Sequence, residues 1–258
     1  MKPSELIDKL ADRYRNTDID WEMLLEHAYR SFLDRDCWAL DIGGHAARHA
    51  EVLSAAVGCA RVEIVEPLPD YAGALRKRYA KNARIRVHEC AVGAKPGTAS
   101  FVFNAGSPEE SGLRERVYNV PEAKHLIEIE VEVRCLDALC ADFERLDFVK
   151  IDTEGGEMDI LEGGCDTLER FRPILSVEYG ASSYEAYGKK QIDLYEFAED
   201  LRYRLCDLFG TPFLSAEDWA GGCDRYYWDY LMVPLERFEQ TREHLAGQLA
   251  RVAPGILD

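Results

Sequence analysis

The sequence predicts an α/β protein with a mainly parallel sheet, built as one large domain. Three short apolar segments, 37–44, 61–67 and 85–90, alternate with two segments of helical character, 46–57 and 71–81. Strands and helices that alternate in this way form a parallel sheet, because each helix carries the chain back before the next strand starts. The 258 residues, 47% of them hydrophobic, suffice to bury a core without disulfides or a structural metal.

Two amphipathic helices are predicted before the first strand. Apolar side chains recur at helical spacing over 6–14 and, more regularly, over 21–32. Thr17 and Asp20 fit the capping box that would start the second helix.

The middle of the chain predicts two further strands, 98–104 and 127–133, separated by a long polar loop, 105–124. In the second strand, apolar residues alternate with three glutamates: Glu128, Glu130 and Glu132. Because a row of like charges has to be solvated, we expect this strand at the edge of a sheet. Long loops in compact domains often cover a substrate, and we expect the same of this loop.

The second half of the chain continues the alternation of strands and helices. Its predicted elements are strand 146–152, helix 158–171, strand 173–178, helix 194–201, strands 203–209 and 227–233, and a C-terminal amphipathic helix, 235–252.

The charge balance excludes several classes of partner. The chain has 31 basic and 48 acidic side chains, which give a formal charge of −17. This argues against nucleic acids and anionic membranes, since both are bound through Lys and Arg. We expect no membrane span or signal peptide, because no apolar run is long enough and the N-terminus lacks an apolar core. Eight scattered cysteines without a C-x-x-C pair suggest a reducing, cytoplasmic location.

A glycine turn after the first strand is the first candidate binding motif. Asp41 and Ile42 are the last residues of the strand. Gly43, Gly44 and His45 follow before a helix begins. Such a turn lets a ligand approach the backbone and the free N–H groups of the helix start. Glu66, at the end of the second strand, is placed to accept the ribose hydroxyls of an adenosine-containing cofactor. The glycine turn together with Glu66 suits NAD and S-adenosylmethionine alike, although the G-x-G-x-x-G dinucleotide motif is absent.

Carboxylates follow two later strands and are the candidates for chemistry. Asp152, Glu154 and Glu157 come directly after the strand that ends near Ile151. Glu178 ends the next strand. These acids suit a general base, substrate contacts or a metal, but acids beside a helix N-terminus are also favoured by the helix dipole.

A series of short motifs resembles the FkbM family of methyltransferases. The resemblance covers roughly residues 38–180, and K-I-D-T-E-G-G-E at 150–157 followed by L-E-G-G at 161–164 is its most specific part. The other matching segments are L-D-I-G at 40–43, V-E-P at 65–67, A-V-G at 91–93, S-G at 111–112, L-D at 136–137 and R-P-I at 172–174 with Glu178.

The resemblance implies a class I methyltransferase (Rossmann-like) fold, with a seven-stranded, mostly parallel sheet whose last strand runs antiparallel. Residues 1–36 would then be an N-terminal helical extension of a methyltransferase domain that covers 37–258. It also implies S-adenosylmethionine as the cofactor. The cofactor-binding residues would be Asp41, Gly43, Gly44 and His45 in the first turn, Glu66 and Pro67 at the ribose, Glu89, Cys90 and Ala91 at the adenine, and Asp152 near the methyl group. The family usually has Asn and Gly where this chain has His45 and Ala47, which puts cofactor affinity in question.

The implied reaction is methyl transfer to the hydroxyl of a small molecule, such as a sugar or a natural-product scaffold. We take Asp152, Glu154 and Glu178, in that order, as candidates for the catalytic base. A divalent metal on these acids is possible in principle but is not favoured. The segments outside the resemblance, 1–36 and 181–258, are expected to supply lid, substrate or homodimer contacts. Two alternatives stay open: a binding protein that has lost the chemistry, and an NAD-dependent oxidoreductase.

Overall fold

The computed structural model describes residues 2–13, 20–115 and 124–252, and its centre is a β-sheet. Most predicted strands are present, shortened at their ends. In chain order the strands are β1 Trp38–Ile42, β2 Arg61–Val65, β3 Ile85–His88, β4 Ala91–Val92, β5 Gly97–Asn104, β6 Leu126–Arg134, β7 Phe148–Ile151, β8 Ile174–Glu178, β9 Tyr203–Cys206 and β10 Asp229–Pro234.

Seven of these strands form the main sheet, in the order β3-β2-β1-β7-β8-β10-β9. The pairs β1–β2, β1–β7, β2–β3 and β7–β8 are parallel, and β10 runs antiparallel to both of its neighbours. The predicted seven-stranded sheet with an antiparallel last strand is therefore confirmed. The order reverses on either side of β1, which brings the carboxyl ends of β1, β2 and β7 together, where open α/β sheets bind ligands.

The helices cover both faces of this sheet. They are α1 Pro3–Arg13, α2 Trp21–Phe32, α3 Arg48–Glu51, α4 Pro69–Tyr79, α5 Leu136–Leu139, α6 Glu157–Glu162, α7 Cys165–Phe171, α8 Ala181–Tyr184, α9 Gln191–Asp200, α10 Ala216–Gly222 and α11 Phe238–Val252. A π-helical turn, Val52–Val57, continues α3. None of the helices within the described ranges is long and apolar enough to cross a membrane.

Two details of the predicted helices were wrong. Asp20 itself is the N-cap of α2, because its side chain accepts a hydrogen bond from the Met23 N–H; Thr17 lies outside the described residues. The single helix predicted over 158–171 is broken into α6 and α7 at Gly163–Gly164. A side chain at Gly163 would lie 2.5 Å from the Gly93 carbonyl oxygen, so this close backbone approach needs glycine where the chain turns between the two helices.

A second, three-stranded sheet has the order β4-β6-β5. The three glutamates of β6 are exposed, as expected, while Val131 and Val133 on the other face are buried. The predicted edge position is wrong: β6 pairs with β5 on one side and with β4 on the other, so it is the middle strand. Solvent reaches the acidic face directly, and a central strand can therefore carry these charges without lying at an edge.

Both faces of the main sheet are buried. Side chains from β1, β7 and β8 that point one way pack with α6, α7 and α9, and those that point the other way pack with α2, α3 and α11. The N-terminal helix α2 is thus part of the core. All eight cysteines are free thiols.

Candidate active site

A cavity of about 390 Å³ opens where the carboxyl ends of the central strands meet. Its walls come from the turn after β1, the ends of β2 and β7, the segment after β3, and Glu178 of β8. Helix α2 and the described part of the loop 105–124 complete it. The residues that line it include Glu22, Gly43, Gly44, His45, Arg48, His49, Glu66, Pro67, Cys90, Ala91, Pro108, Ser111, Leu113, Lys150, Asp152, Glu154, Glu178 and Tyr187.

Gly43 holds the turn at the floor of this cavity in a conformation that requires glycine. Its φ is 89°, and its N–H donates a hydrogen bond to the Val65 carbonyl oxygen at 3.0 Å. A Cβ atom at this position would lie 1.7 Å from the Asp152 carbonyl oxygen. The absence of a side chain therefore lets the ends of β1 and β7 come together and brings Asp152 beside the turn.

His45 and Ala47, where the family that the sequence resembles usually has Asn and Gly, do not close the cavity. The His45 ring stacks on Tyr71, with 4.8 Å between ring centroids, and its backbone N–H donates to Glu66 Oε2 at 2.8 Å. Its buried Nε2 atom has no hydrogen-bond partner among the described residues, so it is available to a ligand. Ala47 has a φ of 65°, but its methyl group is buried in the core rather than in the cavity wall.

Glu66 has the geometry expected of a ribose-binding carboxylate. Only 3% of it is exposed, and its two oxygens accept hydrogen bonds from the backbone N–H groups of His45 and Leu68, both at 2.8 Å. Burial raises the pKa of Glu66 to about 7, although these two hydrogen bonds oppose the rise. Each carboxylate oxygen has two lone pairs, so both can still accept a ribose hydroxyl. The residues present therefore fit an adenosine cofactor.

Two of the residues predicted at the cofactor do not reach the cavity with their side chains. Cys90, Ala91 and Pro67 line it as expected. Glu89 points outward and pairs with Arg76, with 2.5 Å between Glu89 Oε2 and an Arg76 guanidinium nitrogen. Asp41 lies beneath the cavity wall, where it is 1% exposed and neither carboxyl oxygen has a hydrogen-bond partner among the described residues.

Lys150, which the sequence analysis did not single out, is the buried cation of the site. It is 2% exposed, and its Nζ atom lies 2.6 Å from Asp152 Oδ2. Asp41 is its direct neighbour across the β1–β7 pair. A lysine within the otherwise apolar strand Phe148–Ile151 was the available signal, since lysine is rarely buried without a partner.

Asp152 and Glu178 form a carboxyl pair that shares one proton. Burial opposes ionisation of Asp152, but Lys150 and a hydrogen bond from Glu178 outweigh it and hold the pKa of Asp152 well below its usual range. Burial and the neighbouring charge of Asp152 raise the pKa of Glu178 well above its usual range. Asp152 is therefore the ionised member of the pair, and Glu178 carries the proton.

The shared proton predicts a pH effect on stability. A folded carboxyl with a raised pKa binds its proton more tightly than the unfolded chain does, so its contribution to stability is lost as the pH rises above about 4.5 towards the folded pKa. Glu178→Gln keeps an N–H donor for Asp152 and removes this titration. We expect the variant to gain free energy of unfolding relative to the natural protein as the pH increases from 5 to 9, as measured by urea unfolding. Parallel curves for the two proteins would contradict the shared proton.

The remaining acids of the 150–157 motif separate into different roles. Glu157 is 1% exposed, and its Oε1 atom accepts three hydrogen bonds at 3.0 Å, from the N–H groups of Thr153 and Gly155 and from the Thr153 hydroxyl. It therefore holds the loop after β7 in place. Glu154 lines the cavity, has a φ of 60° and accepts a hydrogen bond from the Ser183 hydroxyl at 3.3 Å.

Helices α2 and α3 add a second group of site residues that the sequence analysis missed. Glu22 and His49 both line the cavity, with 3.0 Å between Glu22 Oε2 and His49 Nε2. The other ring nitrogen of His49 lies 3.2 Å from the Tyr29 hydroxyl oxygen. His49 follows the glycine turn closely in sequence, but Glu22 lies far from every motif, and only the packing of α2 beside His49 brings it to the cavity.

Comparisons with known proteins agree with this architecture. The model of a family described as "Methyltransferase FkbM domain" matches residues 41–205, more than half of the chain. No curated protein matches the chain. Among solved structures, a methyltransferase FkbM from Methylobacillus flagellatus KT has a TM-score of 0.51 and 18% identity, over 80% of this chain and 47% of that chain. This chain thus spans about half the length of that protein, and the likeness shows the fold.

Two further solved structures are more distant. A precorrin-6y C5,15-methyltransferase from Geobacter metallireducens GS-15 has a TM-score of 0.41 and 18% identity, over 74% of this chain and 77% of that chain. The fibrillarin of Aeropyrum pernix, solved with bound S-adenosyl-L-methionine, has a TM-score of 0.44 and 12% identity, over 82% of this chain and 74% of that chain. With the family match over residues 41–205, the class I sheet and the cavity at its carboxyl edge, the chain belongs to the FkbM family of S-adenosylmethionine-dependent methyltransferases.

Proposed function

We propose that this protein transfers the methyl group of S-adenosylmethionine to a hydroxyl oxygen of a small molecule. The observation that supports this best is the ionised Asp152, which Lys150 holds at the end of β7 in the same cavity as Glu66. The turn after β1 contacts both of them, since Gly43 packs against the Asp152 backbone and the His45 N–H donates to Glu66. One cavity thus offers a ribose-binding carboxylate and, beyond the turn, a carboxylate for the acceptor hydroxyl.

When bound, S-adenosylmethionine supplies an electrophilic methyl group, and the protein has to position the acceptor oxygen in line with it. Asp152 is suited to accept the hydrogen bond of the acceptor hydroxyl, because Lys150 preserves its negative charge. A low pKa does not prevent Asp152 from taking the proton. Once the oxygen–carbon bond forms, the protonated ether is a far stronger acid than a carboxylic acid, and the proton moves to Asp152.

The proposal of a small acceptor rests on charge and on the enclosure of the site. A net charge of −17 disfavours a nucleic acid, and six acidic residues line the cavity: Glu22, Glu66, Glu109, Asp152, Glu154 and Glu178. The described part of the loop 105–124 contributes Pro108, Ser111 and Leu113 to the wall, as expected of a segment that covers a substrate.

Replacement of Glu66 tests the cofactor site directly. Glu66→Gln retains only one acceptor oxygen for two backbone N–H donors and the ribose, so we expect S-adenosylmethionine to bind about 10- to 100-fold more weakly in calorimetry. Ribose hydroxyls favour the ionised carboxyl. Because the pKa of Glu66 is about 7, affinity should increase from pH 6 to 8 in the natural protein and less so in the variant.

Glu89→Gln is the matched control, since Glu89 pairs with Arg76 outside the cavity and its replacement should leave binding unchanged. Equal loss in both variants, or no binding by the natural protein, would contradict the proposed site. Transfer of an isotopically labelled methyl group to a panel of hydroxylated small molecules then tests the reaction itself.

A further inference from the structure

The cavity offers few cations to a cofactor that carries a carboxylate of its own. Six acidic residues line it, and among the described residues of its wall Lys150 and Arg48 are the only lysine or arginine side chains. S-adenosylmethionine ends in an amino acid, whose α-carboxylate would be repelled by these acids. Its binding therefore requires a basic side chain beside that carboxylate.

Lys150 is not free to take this role. Its side chain is 2% exposed, and its Nζ atom already lies 2.6 Å from Asp152 Oδ2. A second carboxylate at Lys150 would compete with Asp152 for the same ammonium group. The His45 backbone N–H binds Glu66, which places this histidine at the ribose, and His49 lies 3.0 Å from Glu22. Arg48 is therefore the basic side chain that remains for the carboxylate.

Arg48 follows the turn after β1 and is held in place from one side. Its Nε atom lies 2.6 Å from Glu26 Oε1, and its Nη2 atom lies 3.9 Å from Asp20 Oδ1, so that α2 and its N-cap orient the guanidinium group. The Nη1 atom has no partner among the described residues. Because a guanidinium group has five N–H donors, Arg48 can bind a further carboxylate in the cavity.

We propose that Arg48 binds the α-carboxylate of S-adenosylmethionine and thereby fixes the amino-acid end of the cofactor. The inference rests on the proposed function, which requires this cofactor. It also gives α2 a part in cofactor binding through Glu26, although the family match begins only at residue 41. The permanent charge of arginine and its paired donors suit a carboxylate better than any other side chain does.

Calorimetry with S-adenosylmethionine and its decarboxylated analogue tests this contact without turnover. The two ligands differ only in the α-carboxylate. We expect Arg48→Gln to weaken S-adenosylmethionine about 10-fold and not to weaken the decarboxylated analogue. Unchanged affinity for the analogue also shows that the variant is folded. S-adenosylhomocysteine and 5′-methylthioadenosine, which lacks the whole amino-acid end, form a second pair that is titrated in the same way.

Arg78→Gln is the matched control. The Nη1 group of Arg78 donates a hydrogen bond to the Ala46 carbonyl oxygen of the same turn at 3.3 Å, and its side chain is 50% exposed against 51% for Arg48. Arg78 pairs with Glu51 outside the cavity. Its replacement removes the same charge close by but no contact with the cofactor, so it should leave the affinities for all four ligands unchanged.

The outcomes separate the two proposals. Failure of the natural protein to bind any of the four ligands would overturn the proposed function. If S-adenosylmethionine binds, the carboxylate contact is overturned when Arg48→Gln weakens both members of a pair equally or weakens neither. A selective loss of the same size in Arg78→Gln also overturns it. A loss that is confined to Arg48→Gln and to the ligands with a carboxylate supports it.

Discussion

Lys150→Met is expected to lower the free energy of unfolding by about 2–4 kcal/mol at neutral pH, somewhat less than the usual cost of breaking a fully buried ion pair, because Lys150 is buried but the Asp152 side chain is 30% exposed. Methionine fills a similar volume, so the loss does not come from a cavity. It comes from the partly buried carboxylate of Asp152, which would lose the ammonium group that lies 2.6 Å away in the natural protein. The neighbouring Asp41 would also lose its nearest cation.

The pH dependence identifies the cause of this loss. In the natural protein, the lowered pKa of Asp152 contributes stability above the unfolded pKa of about 4, and this contribution is lost at lower pH. In the variant, burial instead raises the pKa of Asp152. The difference in stability between the two proteins should therefore be largest above pH 5 and should narrow as the pH falls towards about 4 in urea unfolding.

Lys189→Met is the matched control, because Lys189 forms ion pairs with Asp159 and Glu162 at the surface. Its replacement should cost about 0–1 kcal/mol. Adding Asp152→Asn to Lys150→Met should recover part of the lost stability. A loss in Lys150→Met that does not depend on pH, or that equals the loss in Lys189→Met, would show that Lys150 does not compensate Asp152.

Gly43→Ala is expected to destabilise the protein by more than about 3 kcal/mol and to abolish measurable S-adenosylmethionine binding. The added Cβ would lie 1.7 Å from the Asp152 carbonyl oxygen, and the φ of 89° is unfavourable for alanine. Either the turn or the end of β7 has to move. The movement would displace the backbone N–H of His45 that holds Glu66.

Gly73→Ala provides the control for this substitution. Gly73 lies in α4, and no atom lies within 4 Å of the position that its Cβ would occupy. In a helix, alanine is favoured over glycine by about 0.5–1 kcal/mol, so this variant should be slightly more stable and should bind the cofactor normally. Thermal unfolding and calorimetry measure both effects. A Gly43→Ala variant with normal stability and affinity would contradict the close approach of β1 and β7.

The order of strands and helices was predictable because each element has a local signal. Apolar runs ended by glycine or proline marked β1 and β2, and helical spacing marked α2 with its correct bounds, Trp21–Phe32. The predictions were wrong where the position of an element depends on its neighbours in the folded protein. The alternation in β6 correctly indicates which face of the strand is exposed to solvent. A strand at the edge of a sheet and a strand in its middle can share this pattern, however. Only the pairing of β6 with both β4 and β5 shows that it is a middle strand.

The sequence by itself determined the α/β class, the family resemblance and which acids follow the central strands. All three depend on local residue patterns, and the ends of parallel strands meet at one edge of the sheet. The tertiary structure decided which side chains share the cavity and in which protonation state. It turned Glu89 outward to Arg76, placed Lys150 beside Asp152, and brought Glu22 and His49 to the site from α2 and α3. Proximity across distant segments and burial from water set these contacts and pKa values, and neither is encoded within a single motif.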